Sequence, residues 1–304
     1  MVIANPDKYL LPAYRLSPFS TADVALNHEL PADDYAETYF GERLASRRYK
    51  YCMSGREAIH QALSHYHLQP EDVVTIITTT NNLYISSCVT NEIERFCKWS
   101  RKIEQATKVL FVNHEFGYPL EDVTALQEHG LPIIEDCAYS FLSHNTAGNT
   151  GHLGDFTIYS FPKIFPVQIG GLLTMKDGLD DEKFSQQLLP NQEHNYIQKV
   201  ASHFLRKTAD IASQRIENYH FLINGLTSMG FSERIPLSDG IVPGACLFSV
   251  NGLLNLPELK EALWEKGIQC SIFYGEDTFF IPVHQALKKP DLTYFLNNIK
   301  INLK

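Results

Sequence analysis

The chain has 304 residues, 44 % of them hydrophobic and 20 % charged, which excludes wholesale disorder and allows a sizeable core without disulfides or a structural metal. A formal net charge of −9 argues against a nucleic-acid partner, since such binding needs a basic footprint to displace counterions. Six scattered cysteines with no CxxC pair argue against a zinc site or redox motif and fit free thiols in a reducing compartment, so no metal is expected.

Residues 1–50 are polar, aromatic and irregular, and read as an N-terminal arm with short helices. The opening segment, MVIANPDKYLLPAYRL, has neither the basic nor the apolar stretch of a signal peptide. No run approaches the roughly 18 apolar residues of a membrane span. The expectation is a soluble, cytoplasmic protein with no membrane partner. A helix is expected from Ser54-Gly55, because Ala58, Ile59, Ala62, Leu63 and Tyr66 recur at three- and four-residue spacing. The β-branched run at 72–78 reads as a buried strand.

Strands are then expected at 108–112, 131–135, 156–161 and 171–175, with a helix at 120–127 stopped by Gly130. This alternation of apolar strands and helices implies an α/β fold with a mainly parallel sheet covered on both faces. A long helix, or two, is expected over 200–226. After Pro243 a smaller α+β unit follows, with a strand at 246–250, a helix at 256–266 and a last segment at 269–274. Domain limits are placed at 1–50 for the arm, 51–214 for the large domain and 215–304 for the small one.

Three segments could carry chemistry. Ser54-Gly55-Arg56-Glu57-Ala58-Ile59 is a small-residue turn feeding a helix N-terminus, which either holds an anion or is simply a turn. Ile133-Ile134-Glu135-Asp136 is a buried strand ending in two carboxylates. Neighbours on a strand face opposite ways, so one of the two must point to the core or to a ligand. An ionised group there needs a cationic partner: a protonated pyridine nitrogen, or an ordinary salt bridge or cap. Gly154-Asp155-Phe-Thr-Ile-Tyr-Ser160-Phe161-Pro162-Lys163 delivers a hydroxyl and then a lysine directly after a proline. A lysine there is either a solvated turn residue or a Schiff-base lysine, whose deprotonation burial and nearby positive charge would promote. Its neighbours, Ile164-Phe165-Pro166-Val167 and Gly170-Gly171, are almost devoid of charge.

In order and spacing these segments resemble the DegT/DnrJ/EryC1/StrS-type sugar aminotransferases, which are fold-type I enzymes dependent on pyridoxal 5'-phosphate (PLP). The resemblance rests on Ser54 to Ile59, on Glu135-Asp136-Cys137-Ala138, on Gly154 to Phe161, and on Lys163 and Gly170-Gly171. Asn113-His114-Glu-Phe-Gly117 adds to it. The resemblance is strong over 108–176, moderate over 50–90 and thin beyond 180. It implies a mixed seven-stranded sheet and a homodimer. It also implies that an amino group moves from an amino acid, glutamate first, to a keto sugar linked to a nucleotide. Lys163 would carry the cofactor and shuttle protons. Asp136 would hold the pyridine nitrogen, and Ser160 with the Gly55 and Arg56 backbone would hold the phosphate. Tyr84 would stack on the ring, and Asn195 would reach the cofactor phosphate of a neighbouring subunit. Arg43, Arg47, Arg48 and Arg56 are candidates for a pyrophosphate, and the segments Phe273–Glu276 and Ile281–His284 for lining the site.

The chain departs from the family pattern in four ways. Little remains of the segment between 91 and 108, and Tyr139 stands where Gln or His is usual. Only Pro162 separates Phe161 from the lysine, and the carboxyl end is short of a closing segment. The alternative reading is therefore a non-catalytic fold-type I homologue that acts as a binding or regulatory partner. A deoxysugar dehydratase on the same scaffold is disfavoured because Lys163 is a lysine, and a nucleotide-binding Rossmann enzyme because no GxGxxG follows a strand.

Overall fold

The computed structural model describes residues 13–44, 47–179, 184 and 189–303. The first twelve residues of the expected arm lie outside them. Helices α1 (Ala22–Glu29) and α2 (Tyr35–Arg43) occupy much of the rest of the arm. The expected limit at residue 50 falls inside a strand, β1 (Arg47–Cys52), which pairs with the main sheet. Its Arg-Arg-Tyr-Lys-Tyr-Cys sequence lacks clean alternation because β1 is an edge strand, half-buried over its middle residues 48–50.

Helix α3 (Gly55–Ser64) starts where expected. The Ser54 hydroxyl accepts the Glu57 N–H at 3.2 Å, and the Glu57 carboxylate reaches back to the Met53 N–H at 2.6 Å, a close variant of a capping box. The stripe Ala58, Ile59, Ala62 and Leu63 is buried.

The main sheet adds β2 (Val73–Thr78), β3 (Lys98–Ser100), β4 (Thr107–Asn113), β5 (Ile133–Asp136), β6 (Phe156–Ser160) and β7 (Gly171–Lys176), in the order β1-β7-β6-β5-β4-β2-β3. From β3 to β6 the pairing is parallel, and β7 runs against both of its neighbours. This is the expected mixed, mainly parallel sheet. Alternate residues of β4 go to opposite cores: Val109 and Phe111 pack with α3, while Leu110 and Val112 pack with Val123 and Ile133. Helix α4 (Ser87–Ile93) covers the α3 side with Val89 and Ile93. The helix expected at 120–127 is a 3-10 turn over Thr124–His129 instead. The Leu120 N–H meets His114 Nδ1 at 3.0 Å.

Two helices, α5 (Asn191–Leu205) and α6 (Thr208–Thr227), fill the expected helical stretch. Ile211 of α6 packs with Phe161, Phe165 and Leu205, whereas Tyr219, Leu222, Ile223 and Leu226 pack under the second sheet. One helix thus serves both cores, and the expected domain limit at 214/215 falls within it. The second sheet is antiparallel, with order β10-β11-β9-β8, from β8 (Ser232–Glu233), β9 (Cys246–Ser249), β10 (Ser271–Phe273) and β11 (Thr278–Ile281). Helices α7 (Leu256–Glu265) and α8 (Lys289–Ile301) complete it. Leu292, Phe295 and Ile299 of α8 pack into the second core. Among the described residues no helix is long and apolar enough to cross a membrane.

Candidate active site

Neighbouring parallel strands β4, β5 and β6 end at Asn113, Asp136 and Ser160, at the carboxyl edge where open α/β sheets bind ligands. The two carboxylates of β5 have different employment. Glu135, fully buried, accepts the N–H groups of Gly151, Leu153 and Gly154 at 2.9, 2.8 and 2.7 Å and meets His114 Nε2 at 3.1 Å. Because Leu120 donates to His114 Nδ1, Nε2 is the ring nitrogen that donates to Glu135. Burial pushes the Glu135 carboxyl up, but His114 and the turn's N–H groups outweigh it and hold the group below its ordinary value. Glu135 is the structural carboxylate that pins the 151–154 turn.

Asp136 faces the other way. It accepts the Asn113 amide at 2.9 Å and the Ala138 N–H at 3.0 Å, one bond to each oxygen, which leaves acceptor capacity on both. Burial pushes it above its ordinary value, against those bonds and the charge of Lys163.

Beside it, Gly55, Ser160 and Gly171 make a close three-way contact. A Cβ on Gly55 would stand 3.0 Å from the Ser160 Cβ and 3.3 Å from its Oγ. A Cβ on Gly171 would stand 2.8 Å from the Ser54 carbonyl carbon and 3.0 Å from the Gly55 nitrogen, so that close approach needs glycine. The first turn of α3, with its free N–H groups, is thereby set against the Ser160 hydroxyl.

After β6 the chain makes a 3-10 turn at Phe161–Lys163. Phe161, Ile164, Phe165 and Val167 are rooted in the core, and the Ser17 hydroxyl donates to the Pro162 carbonyl at 2.6 Å. Lys163, half-buried, places its Nζ 4.9 Å from the centre of the Tyr139 ring. Tyr139, against the opposing effect of burial, holds the ammonium above its ordinary value, and Cys88 and Asp136 add to this. A Schiff-base role leads one to expect nearby positive charge that lowers this lysine. The chain's own neighbours act in the opposite sense because they are anionic or can become so.

Other expected residues are placed as follows. Arg56 is exposed and donates to the Cys88 Sγ at 3.1 Å. Arg43, Arg47 and Arg48 are engaged internally rather than offered to a pyrophosphate. Arg43 donates to the Phe141 carbonyl, Arg47 to Thr174 and to the His152 and Asp155 carbonyls, and Arg48 to the Leu179 carbonyl. Tyr84 packs among Phe116, Phe273, Tyr274 and Phe280 in an aromatic cluster that Tyr139 joins through Phe116. Asn195 is exposed on α5, in a groove with His28, Asp33, Tyr196 and Lys199.

Of the Phe273–Glu276 segment, Glu276 belongs to a clasp. The Arg234 guanidinium meets Glu276 at 2.7 Å and Glu115 at 2.9 Å, with Phe273 stacked 3.9 Å beneath it. Asn82, whose side chain accepts the Tyr84 N–H, also donates to Glu276, so the clasp reaches the Tyr84 loop. His284 is buried and pushed down to about 3 by desolvation and then by Arg215, so it is neutral. Among the described residues, His114, Glu135 and Cys137 bring possible metal-ligand atoms within 4.8 Å of one another, but both imidazole nitrogens and both Glu135 oxygens are already committed.

Sequence reasoning assigned no role to Asn113, Arg215, Arg234 or Gln285, and took Tyr139 only as a departure. For Arg215 a signal existed. It falls on the buried stripe Ile211, Asn218, Tyr219 and Leu222 of α6, a charged residue where the period demands an apolar one.

The group these residues suit is PLP: a buried carboxylate with spare acceptor capacity, an amine nearby, and a hydroxyl beside a helix N-terminus whose only tolerated neighbour is glycine.

The sheet order and the site at its carboxyl edge define a fold-type I transferase. A model of the DegT/DnrJ/EryC1/StrS aminotransferase family matches residues 96–293, well past the limit of the resemblance visible by eye, and the chain belongs to that family of aminotransferases. Solved structures share the fold. The aminotransferase TlmJ from Streptoalloteichus hindustanus is 17 % identical, with a TM-score of 0.73 over 95 % of this chain and 98 % of that one. A DegT DnrJ EryC1 StrS aminotransferase from Brucella abortus is 16 % identical, with a TM-score of 0.69 over 93 % and 94 %. A protein described as a sugar aminotransferase from Streptococcus pneumoniae, in its PLP form, is 13 % identical, with a TM-score of 0.69 over 99 % and 100 %. No curated protein matches the chain in sequence.

Proposed function

We propose that this protein is a PLP-dependent aminotransferase that takes an amino group from an amino acid, glutamate in our reading, and passes it to a keto sugar carried on a nucleotide. The observation that carries the reading is the convergence of Gly55, Asp136, Ser160 and Lys163 at the ends of adjoining strands. The chemistry such a cofactor supplies is an electron sink for the carbon that bears the amino group. Asp136 would keep the ring nitrogen protonated, Ser160 and the α3 N–H groups would hold the phosphate, and Lys163 would bind the cofactor and carry the proton. Tyr139, against the lysine, would orient that amine. We extend the proposal to a homodimer in which Asn195, exposed on α5, completes the partner's site. Light scattering of the purified chain tests that extension.

The test of the reaction is an absorbance scan with added PLP, beside Lys163→Ala. A band near the visible edge in the unsubstituted protein alone, bleached by glutamate, is the expected result. A lysine-dependent band that glutamate leaves intact removes glutamate as donor. No lysine-dependent band removes the PLP reading and returns the chain to a non-catalytic partner role.

A further inference from the structure

Arg215 is among the largest fully buried side chains of the molecule, and none of its partners is a carboxylate. Its Nη2 donates to the Lys163 carbonyl at 2.8 Å, its Nε to the Gln285 side-chain oxygen at 2.9 Å, and its Nη1 to the Pro243 carbonyl at 3.4 Å. Gln285 uses its other end on the next residue of the same turn, donating to the Ile164 carbonyl at 2.7 Å. The carbonyls of two successive residues, 163 and 164, are therefore each capped by one member of an Arg215–Gln285 pair. Among the described turns and loops no backbone N–H reaches either carbonyl.

A guanidinium buried without a counter-charge is unfavourable, and burial lowers its hold on its proton, to about 10. A neutral side chain would avoid that cost if filling space were enough. The planar fork offers what a neutral residue or a lysine cannot, several N–H bonds in fixed directions at once. Here those directions tie α6 and the segments at 243 and 285 to the turn that presents Lys163.

We propose that Arg215 and Gln285 are positioning residues: by fixing the peptide planes on the carboxyl side of Lys163, they aim its ε-amino group at Tyr139 and Asp136. The proposal rests on Lys163 being the reactive lysine of the site. A small rotation of those planes would be amplified along the lysine's four-carbon arm.

The test reads the lysine itself, without cofactor. The full chain is methylated with formaldehyde and cyanoborohydride across a range of pH, and the rate at Lys163 is followed by peptide mass spectrometry against Lys176 and Lys199. In Arg215→Met and in Gln285→Ala the Lys163 rate is expected to rise about tenfold, with the two reference lysines unchanged. Arg215→Lys, which keeps the charge and loses the fork, should behave like Arg215→Met. Should Arg215→Met not fold, Gln285→Ala carries the same comparison, since it uncaps one carbonyl only. An unchanged Lys163 rate in the folded variants overturns the proposal. So does full restoration by Arg215→Lys, which would make charge and not geometry the requirement. Borohydride trapping of added PLP on the unsubstituted protein is read separately: its absence would remove the cofactor reading and leave the lysine comparison standing.

Discussion

Asn113 and Asp136 meet across the carboxyl ends of two adjacent parallel strands, the amide of one donating to the carboxylate of the other at 2.9 Å. Asp136 already sits above its ordinary value through burial, and this bond is one of the interactions that hold it down. Asn113→Ala should let it rise further. A lost bond to a charged group is worth about 1.5–3 kcal/mol, so PLP affinity should fall roughly ten- to a hundredfold. The loss should be larger at pH 5.5 than at pH 8, because without the bond the carboxyl moves further up and acid protonates more of it. Fluorescence titration with PLP at both values checks this, and a loss independent of pH would count against the electrostatic account.

His284 sets an acid limit on stability. Its ordinary value is near 6.5 and burial takes it to about 3 in the folded chain. The folded state therefore binds fewer protons than the unfolded chain between those values. The stabilisation is complete above pH 6.5 and is lost as pH falls toward 3, by up to ~1.4 kcal/mol per unit. In His284→Gln, melting temperature should decline less between pH 7 and 4 than in the unsubstituted protein. Parallel curves would show that other groups govern the acid limb.

Arg234 joins the loop after β4 to the β10–β11 hairpin through Glu115 and Glu276, with the Arg234 and Glu115 side chains both nearly inaccessible. Arg234→Met should destabilise by about 3–5 kcal/mol, since it strands a buried carboxylate. Glu115→Gln in that background should recover part of the loss. Urea unfolding of the four proteins in a double-mutant cycle measures the coupling, and additive losses would mean that the pair does not act as a unit.

Gly171→Ala should disturb both fold and site, because the added methyl meets backbone atoms of Ser54 and Gly55 at 3.0 Å or less. Overpacking of this kind costs about 1–3 kcal/mol. We expect lower stability together with weakened binding of PLP and of inorganic phosphate. A variant with lower stability and unaltered phosphate affinity would separate the cradle from the contact that shapes it.

Much of this arrangement was legible in the residues. Ser54 and Glu57 announce the start of α3, and the apolar run of β4 announces a strand buried on both faces. Pro162 explains why β6 gives way to a turn just before Lys163. Other features depend on partners far along the chain. Alternation says that Glu135 and Asp136 face opposite ways, but only the 151–154 turn and His114 decide which carboxylate is consumed. The strand β1 hides in a polar edge sequence, and the engagement of Arg43, Arg47 and Arg48 comes from carbonyls on distant loops. Arg215 shows in sequence as an anomaly on a helix stripe, while the turn it caps does not.

The pairing of β1 with β7 has a consequence for how the chain comes into being. Cys52 lies opposite Gly171, so the strand leading into the α3 cradle finds its only sheet neighbour among the described residues after all the parallel strands have been synthesised. Closing so long a loop is slow, and an edge left waiting is open to wrong partners. As the chain emerges from a ribosome, β1 has no β7 to pair with until residues 171–176 have followed it, and the cradle beside Ser160 waits on the same partner.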